Sequence, residues 1–447
     1  MKIVYNGEIV NEGRRFQGYV VTEGEIIVEV CAGHPGSDLL SRASEAIDAR
    51  GGLILPGVID DHVHFRDPGL THKADIASES RAAVAGGVTS FMDMPNTVPN
   101  TTTVETLEAK YAQAALNSLA NYSFYIGATN DNLAEVQKVD YSRVCGVKAF
   151  LGSSTGGMLL SDPEAMQRLF SEVDALIAVH SEDEDIIRAN RDRLVAAHGE
   201  NLPLRFHAVI RSREACFAST ERAIRLARKC GTRLHVLHIS TADELALLSN
   251  APLEDKRITT EACLAHLTFS DNDLERLGNR IKCNPAVKSD ADRKALCRAV
   301  NEGLIDVIGT DHAPHLLSEK QGGCLRAASG MPMIQFSLPL MLEHARNGLW
   351  SVETVVEKMC HAPARLFKIE KRGYLRKGYQ ADIAVVAPDP EGYTVSDRGV
   401  LSKCGWTPLE GCVLHLRMWA TLVNGHLVYQ DGRIDDSQRG QRLTFEH

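Results

Sequence analysis

From about residue 53 to residue 370, short apolar runs alternate with longer segments of helical periodicity. Amphipathic stretches separate most of these runs, among them 103–120, 163–173, 212–229 and 290–302. About eight such alternations are typical of a (β/α)8 TIM barrel, so we predict an α/β fold with a barrel over residues 53–370. The predicted barrel strands are 53–64, 89–94, 122–129, 145–151, 175–180, 233–239, 257–263 and 306–310.

The two ends of the chain have a different pattern. Residues 1–52 and 371–447 consist of short β-rich runs separated by turns, and the dipeptide Asn424-Gly425 between two such runs is a strong hairpin signal. No internal repeat or long linker separates these ends from the middle of the chain. We therefore predict that residues 1–52 and 371–447 together form one small β-sandwich domain beside the barrel.

Composition excludes several functional classes. The net charge of -9 argues against nucleic acid as the main partner, and no apolar run approaches the roughly 20 residues needed to span a membrane. The 11 cysteines include no C-x-x-C pair and are interpreted as reduced thiols. The first residues also lack the charged and apolar regions of a signal peptide. We expect a cytoplasmic protein.

The apolar run from residue 53 ends abruptly in charged and imidazole side chains, in the sequence ILPGVIDDHVHFRDPG (54–69). Side chains alternate along a strand, so His62, His64 and Arg66 are predicted to point to the same side. Two imidazoles and a guanidinium are too costly to bury as ordinary core. The histidines therefore indicate a metal and the arginine an anionic ligand, the alternative being a surface strand with chance histidines.

Other unusual polar residues end later predicted strands. Lys148 lies in the fourth, His180 and His238 end the fifth and sixth, and Asp311 ends the eighth. The carboxyl ends of barrel strands converge on one mouth, where active sites form. Four imidazoles and a carboxylate at that mouth predict a site for divalent metal, with Zn²⁺ favoured by the nitrogen ligands.

Lys148 is the least expected member of this set, because an ammonium aimed at two dications would be repelled. Reaction with CO₂ would convert it into an anionic carbamate that could bridge them. With Asp311 and one hydroxide, that carbamate would bring two Zn²⁺ ions close to neutrality. The alternative is an ordinary lysine whose alkyl chain packs against apolar residues while its ammonium extends into solvent.

These residues lie in motifs through which the chain resembles the amidohydrolase superfamily and, within it, the dihydroorotases. The resemblance covers nearly the whole chain in the expected order. The motifs are DDHVHFRDPG (60–69), DMPNT (93–97), VKAF (147–150), HSED (180–183), LHIST (237–241), KCNP (282–285) and GTDHAPH (309–315) followed by Lys320.

The resemblance implies two Zn²⁺ ions per chain. His62, His64, the carboxylated Lys148 and Asp311 would hold one, and the same carbamate would hold the other together with the histidines of the fifth and sixth strands, His180 and His238. A hydroxide bridging the metals would attack the ring amide, and Asp311 would shuttle its proton to the departing nitrogen.

The implied reaction is the reversible conversion of dihydroorotate into N-carbamoyl-L-aspartate in pyrimidine biosynthesis. Arg66, Asn96, Asn284 and His315 match the family positions that contact this substrate, with Arg66 suited to pair with its carboxylate. Family analogy also implies a homodimer.

Alternatives stay open at the level of sequence. Allantoinases commonly carry asparagine at the position of Arg66, and hydantoinases and dihydropyrimidinases lack that arginine because their substrates lack the carboxylate. A catalytically inactive structural homologue is a further alternative, although such proteins usually lose metal ligands. The Gly-rich segment 152–157 is interpreted as a lid, and 329–336 departs from the Gly-x-x-Gly-x-Glu pattern expected there.

Overall fold

The computed structural model describes residues 1–152 and 158–446. Most of the segment interpreted as a lid, 153–157, lies outside the described residues. The chain starts with an antiparallel group of strands that belongs to a sheet separate from the barrel. Its elements are β1 (Lys2–Asn11), β2 (Arg14–Glu23), β3 (Ile26–Ala32), α1 (Ser37–Arg42), β4 (Glu45–Asp48) and β5 (Leu53–Pro56).

A closed parallel barrel follows, as predicted. Its strands are β6 (Val58–Val63), β7 (Val88–Asp93), β8 (Asn121–Phe124), β9 (Ile126–Gly127), β10 (Val147–Phe150), β11 (Leu176–His180), β12 (Arg233–Val236), β13 (Ile258–Cys263) and β14 (Val307–Gly309). β8 and β9 are two parts of one barrel strand, because β8 pairs with β7 and β9 with β10. All these pairings are parallel, which gives the eight strands of a TIM barrel.

Helices connect the barrel strands, and their starts follow from the sequence. Thr103, Ser212 and Ser289 cap three of the four predicted helices by accepting a hydrogen bond from the backbone N–H three residues later. The described helices of this region are α2 (Ile76–Ala85), α3 (Val104–Asn117), α4 (Leu133–Val136), α5 (Pro163–Glu172), α6 (Glu184–His198), α7 (His207–Ile210), α8 (Arg213–Cys230), α9 (Leu264–Thr268), α10 (Leu274–Leu277), α11 (Asp290–Asn301), α12 (Ser337–Arg346), α13 (Val352–Val356) and α14 (Ala362–Phe367).

The two chain ends build one mixed sheet, as predicted. The carboxyl-terminal strands β15 (Ile383–Thr394), β16 (Val413–Val423), β17 (His426–Gln430) and β18 (Arg433–Ile434) join β1–β5 in a nine-stranded sheet. The far edge of this sheet curls back, because Ile27 in β3 donates a backbone hydrogen bond of 2.9 Å to Tyr379, just before β15. The sheet thereby encloses an apolar core of its own, separate from that of the barrel.

The first predicted barrel strand, 53–64, is in fact two strands in different sheets. β5 pairs with β1 and with β15, whereas β6 pairs with β7 in the barrel. The chain passes between the two sheets at Gly57, where a Cβ atom would lie 2.1 Å from Oγ1 of Thr89. A continuous apolar run does not reveal this change of partner, since both strands are fully buried.

The barrel closes between β14 and β6 through a buried carboxyl group. Asp60 accepts hydrogen bonds from the backbone N–H and the hydroxyl of Thr310, at 3.1 and 2.6 Å, and from the backbone N–H of His62 at 3.3 Å. The backbone N–H of His64 donates to His312 across the same seam at 2.8 Å. Burial raises the pKa of Asp60 to about 7 despite these donors.

A buried ion pair connects α3 to the carboxyl end of β7. The Lys110 ammonium lies 2.5 Å from Asp93 and donates to the Met94 carbonyl at 2.9 Å, and both charged side chains are fully buried. The other carboxylate oxygen of Asp93 accepts a hydrogen bond from the backbone N–H of Phe65 at 2.7 Å. This pair therefore fixes the turn that follows the first barrel strand.

Two further expectations concern the whole chain. All 11 cysteines are free thiols; seven of them are buried and the other four are partly buried. Within the part of the chain that the structure describes, no helix has the length and apolar character needed to cross a membrane.

Replacing Lys110 by methionine would leave the Asp93 carboxylate buried without its counter-charge. Removing one partner of a buried ion pair typically costs roughly 3–5 kcal/mol in the free energy of unfolding. Urea unfolding of the Lys110→Met variant should show a loss of that size. The control is Lys138→Met, which removes an exposed pair with Glu135 and should cost less than about 1 kcal/mol. Equal losses in the two variants would contradict this role of the buried pair.

Candidate metal centre and active site

The predicted ligands converge on one cavity at the carboxyl ends of the barrel strands. His62, Lys148 and His180 lie on β6, β10 and β11, and His238 and Asp311 lie two residues beyond the ends of β12 and β14. The cavity lining is His62, His64, Arg66, Lys148, Phe150, His180, His238, Asn284, Asp311, Ala313, Ser329 and Gly330. The structure therefore brings these six residues together, and their role as metal ligands stays a prediction.

Three of the ligands form a compact group. One carboxylate oxygen of Asp311 lies 3.3 Å from Nε2 of His62 and 3.2 Å from Nε2 of His64. The three donor atoms are close enough to share one metal ion. Burial alone would raise the pKa of Asp311, but the two imidazoles lower it below its ordinary value, so the carboxylate is ionised.

The second pair of histidines faces this group. Nδ1 of His180 lies 2.9 Å from Nε2 of His238, and burial lowers the pKa of both imidazoles. Neutral imidazoles offer a lone pair to a metal, which protonated ones cannot. The backbone of His238 has a φ of 40° and that of Asp311 a φ of 46°, strained values that are typical of functional sites.

Lys148 lies between the two groups, and its amine forms no hydrogen bond with the described residues. Its side chain is fully buried. Burial lowers the pKa of Lys148 to about 7, although Glu261 and Asp311 oppose that effect. An orphaned buried amine is costly, and a metal centre or a covalent modification at Nζ would remove that cost.

The imidazoles of His62 and His64 are each held by a polar side chain behind the ring. Nδ1 of His62 lies 3.0 Å from Glu261, and Nδ1 of His64 lies 2.8 Å from Asn96. These contacts leave Nε2 of each ring directed at the cavity. Such outer hydrogen bonds fix the tautomer and the orientation of metal-binding histidines.

The sequence analysis missed two carboxylates in this outer layer. Glu182 lies 3.0 Å from Nε2 of His180 and forms a buried ion pair with Arg211, which lowers the pKa of Glu182 to about 2 against the effect of burial. Glu261 also accepts a hydrogen bond of 3.1 Å from the backbone N–H of His238, so one carboxylate holds two ligands. A carboxylate within the apolar strand 257–263 was the available signal for Glu261.

Arg66 reaches the cavity by a different route from the one predicted. β6 ends at Val63, and Arg66 has a left-handed φ of 67°, so the turn after the strand directs its side chain rather than strand alternation. The guanidinium is buried and donates to the carbonyl of Pro314 at 3.1 Å. No carboxylate forms an ion pair with Arg66 in residues 1–152 and 158–446.

His315 lies next to Arg66 as a neutral imidazole. Burial, together with the positive charge of Arg66, lowers the pKa of His315 well below its ordinary value. Nδ1 of His315 accepts from the Lys73 ammonium at 3.2 Å, and Nε2 lies 3.1 Å from Nη2 of Arg66 and 3.0 Å from the Ser329 carbonyl. The imidazole thus connects the arginine to the segment that carries Ser329 and Gly330.

The other two predicted substrate contacts lie in different environments. Asn284 lines the cavity, and its side-chain oxygen lies 3.1 Å from Nε2 of His207. Asn96 is buried behind His64 and is absent from the cavity lining. Direct contact between Asn96 and a substrate therefore stays a prediction, whereas its contact with a ligand imidazole is observed.

Comparison with known proteins gives the family. Residues 53–422 match the model of the amidohydrolase family. The chain belongs to the amidohydrolase family. It is 36% identical to a dihydroorotase of Halobacterium salinarum over 84% of this chain and 86% of that protein, and 31% identical to an allantoinase of Streptomyces avermitilis over 98% and 97%. An L-hydantoinase from Arthrobacter aurescens has the same fold, with a TM-score of 0.93, 29% identity and 99% coverage of both chains.

Membership of this family agrees with the donor set. Amidohydrolases are generally metal-dependent, and imidazole and carboxylate ligands suit zinc and similar divalent ions. The relatives carry three different activity names at similar identity, so the family assignment alone does not choose a substrate.

Replacing Glu261 by glutamine should weaken metal binding, because the charge that orients His62 and the loop of His238 is lost. Loss of such an outer contact typically lowers metal affinity roughly 10- to 100-fold. Competition with a chromogenic chelator would measure the dissociation constants. The exposed Glu275→Gln variant should match the unmodified protein; an affinity for metal unchanged in Glu261→Gln would contradict the assigned role.

Proposed function

We propose that this amidohydrolase is a dihydroorotase, which hydrolyses the cyclic amide of dihydroorotate to N-carbamoyl-L-aspartate and closes the ring in reverse. The observation that carries the proposal is the Arg66 guanidinium, buried beside the ligand cluster with no carboxylate partner in the described residues. A buried cation without a counter-charge is unfavourable. A substrate carboxylate would supply that charge and pair with the guanidinium through two hydrogen bonds.

The residues also fit the metal centre that the family implies. His62, His64 and Asp311 would hold one Zn²⁺, and His180 and His238 the other. The orphaned amine of Lys148 fits a bridging carbamate, in which Nζ bonds to the carbon of CO₂ and releases a proton. Two bound Zn²⁺ ions would lower the pKa of a water molecule and polarise the ring carbonyl.

Asp311 is placed to move the proton. Its carboxylate is ionised and lines the cavity next to two imidazoles. Hydrolysis forms a bond between the water oxygen and the carbonyl carbon and breaks the ring C–N bond. The Asp311 carboxylate accepts the proton that the attacking water loses and returns it to the departing nitrogen, so that the proton balance is closed.

Arg66 and Asn284 would orient the ring for this step. Both line the cavity, Arg66 as a charged donor and Asn284 as a neutral amide. His315 holds the segment of Ser329 and Gly330 and contacts Arg66 at 3.1 Å, so it supports the anion-binding end of the cavity. Fixing the carboxylate at one end of the ring would hold the amide carbonyl at the ligand cluster, which is the positioning part of catalysis.

Hydrolysis of a neutral ring, as in an allantoinase or hydantoinase, is the alternative. The L-hydantoinase neighbour, which has the same fold, and the allantoinase relative, at 31% identity, are consistent with it. A neutral substrate would leave Arg66 buried without compensation, which disfavours it. The inactive-homologue alternative is disfavoured because His62, His64, Lys148, His180, His238 and Asp311 are all present and adjacent.

Turnover of dihydroorotate, allantoin, dihydrouracil and hydantoin by the zinc-loaded protein tests the proposal directly. The Arg66→Ala variant should lose roughly 100- to 1,000-fold in kcat/KM for dihydroorotate, from the loss of about 3–4 kcal/mol of charged contact. Its turnover of dihydrouracil, which lacks the carboxylate, should change little. Arg168→Ala, on an exposed helix face, is the control. A wild-type preference for a neutral ring would overturn the substrate assignment.

Removal of metal should abolish turnover, and added Zn²⁺ should restore it. The Lys148→Met variant would lack the carbamate and should bind fewer than the two zinc ions per chain that such a centre holds. Elemental analysis of dialysed protein measures that loss. Wild-type protein prepared with ¹³CO₂ should show a carbamate carbon resonance that Lys148→Met lacks; its absence from fully loaded wild-type protein would contradict the modification.

A further inference from the structure

Two segments of chain form the side of the cavity that lies near Arg66. Asn284 belongs to the first, 282–284, and Ser329 and Gly330 belong to the second, 328–330. We call these two segments the outer wall. A backbone hydrogen bond of 2.8 Å from Gly330 to the Lys282 carbonyl joins them. Neither segment lies in a helix or strand, so its position depends on such backbone contacts and on neighbouring side chains.

Lys320 supplies that support from behind the outer wall. Its ammonium donates hydrogen bonds to the carbonyls of Lys282, Ala328 and Gly330, at 2.9, 2.8 and 2.8 Å. An ammonium has three N–H donors, so all of them are engaged with this wall. The side chain is 2% exposed, so water does not compete for these bonds.

The charge of Lys320 is not compensated by a carboxylate. No ion pair involves Lys320 or the neighbouring buried Lys282 in the described residues, and the Lys282 ammonium donates only to the Ala327 carbonyl. Burial, with the added positive charges of Lys282 and Arg66, lowers the pKa of Lys320 to about 7. Three buried cations therefore meet at one end of the cavity, and carbonyl dipoles offset only part of their cost.

An anionic group bound at Arg66 would offset the rest of that cost and favour the charged form of Lys320. A neutral group would leave the excess positive charge unchanged. The same ammonium thus has two effects, holding the outer wall and biasing the cavity towards anionic ligands. Its neighbour Glu319 offsets only part of this positive charge, because it forms an ion pair with Lys73 at 2.9 Å.

We propose that Lys320 is a positioning residue that sets substrate specificity: its buried ammonium fixes the outer wall and favours a ligand carboxylate at Arg66 over a neutral ring. This inference rests on the proposed function, because it concerns the same carboxylate. Lys320 is not in the cavity lining and acts on the substrate through the outer wall and through its charge.

Three variants separate the two effects. Lys320→Met removes both the donors and the charge, Lys320→Gln keeps amide donors without the charge, and Lys320→Arg keeps the charge. The matched control is Lys358→Met, a half-buried lysine that donates to the Ile305 carbonyl at 2.6 Å, before the start of β14 at the opposite end of the barrel. Circular dichroism and metal content would identify variants that fail to fold.

The measurement is kcat and KM for dihydroorotate and for dihydrouracil, with inhibition by N-carbamoyl-L-aspartate and N-carbamoyl-β-alanine as the matching pair of open-chain ligands. We expect Lys320→Gln to raise KM and the inhibition constant about 30- to 100-fold for dihydroorotate and N-carbamoyl-L-aspartate, which carry the carboxylate that dihydrouracil and N-carbamoyl-β-alanine lack. The constants for these last two should change less than about 3-fold. Lys320→Arg should restore the preference in part, and Lys358→Met should leave it unchanged.

Equal losses for both members of each pair in folded Lys320→Gln would overturn the specificity role. So would wild-type constants in both Lys320→Gln and Lys320→Met. If Lys320→Met does not fold, the comparison of Lys320→Gln with Lys320→Arg decides the result alone. Failure of the proposed function gives a different outcome, namely a wild-type enzyme that prefers dihydrouracil over dihydroorotate before any substitution is made.

Discussion

The site depends on the closure of the barrel between its last and first strands. Asp60 on β6 receives both donors of Thr310 just beyond β14, and this contact brings Asp311 against His62 and His64. A carboxyl group buried at such a seam is expensive unless its oxygens accept hydrogen bonds. The three hydrogen bonds to Asp60 meet that requirement. The contacts that close the barrel therefore also set the geometry of the ligand cluster.

Negative and positive side chains lie at opposite ends of the cavity. Carboxylates lie behind the metal-binding end, where Glu261 and Glu182 hold imidazoles, and cations gather at the other end, where Arg66, Lys282 and Lys320 lie without carboxylate partners in the described residues. Each end is unfavourable by itself because its charges are buried. A metal centre and an anionic substrate would compensate the two ends separately, as the proposed reaction requires.

Much of this could be predicted from the sequence. Eight strand-length runs gave the barrel, β-rich ends gave the terminal sheet, and polar residues at strand ends gave the ligand cluster, because the direction of parallel strands fixes where their carboxyl ends meet. The transition at Gly57 was not predictable, since β5 and β6 are equally apolar although they pair in different sheets. The left-handed turn at Arg66 was also missed, because the alternation of side chains along a strand does not show at which residue the strand ends.

The sequence by itself determined the fold class and, through its motifs, the family, and it predicted the side chains proposed as metal ligands. These follow from local periodicity and residue chemistry, which are properties of short stretches of chain. Only the tertiary structure decided which groups stand behind the ligands and which charges lack partners. Glu261 and His62 are 199 residues apart, and Lys320 meets Lys282 across 38 residues. Contacts at such separations depend on how the elements are packed, and no local pattern encodes them.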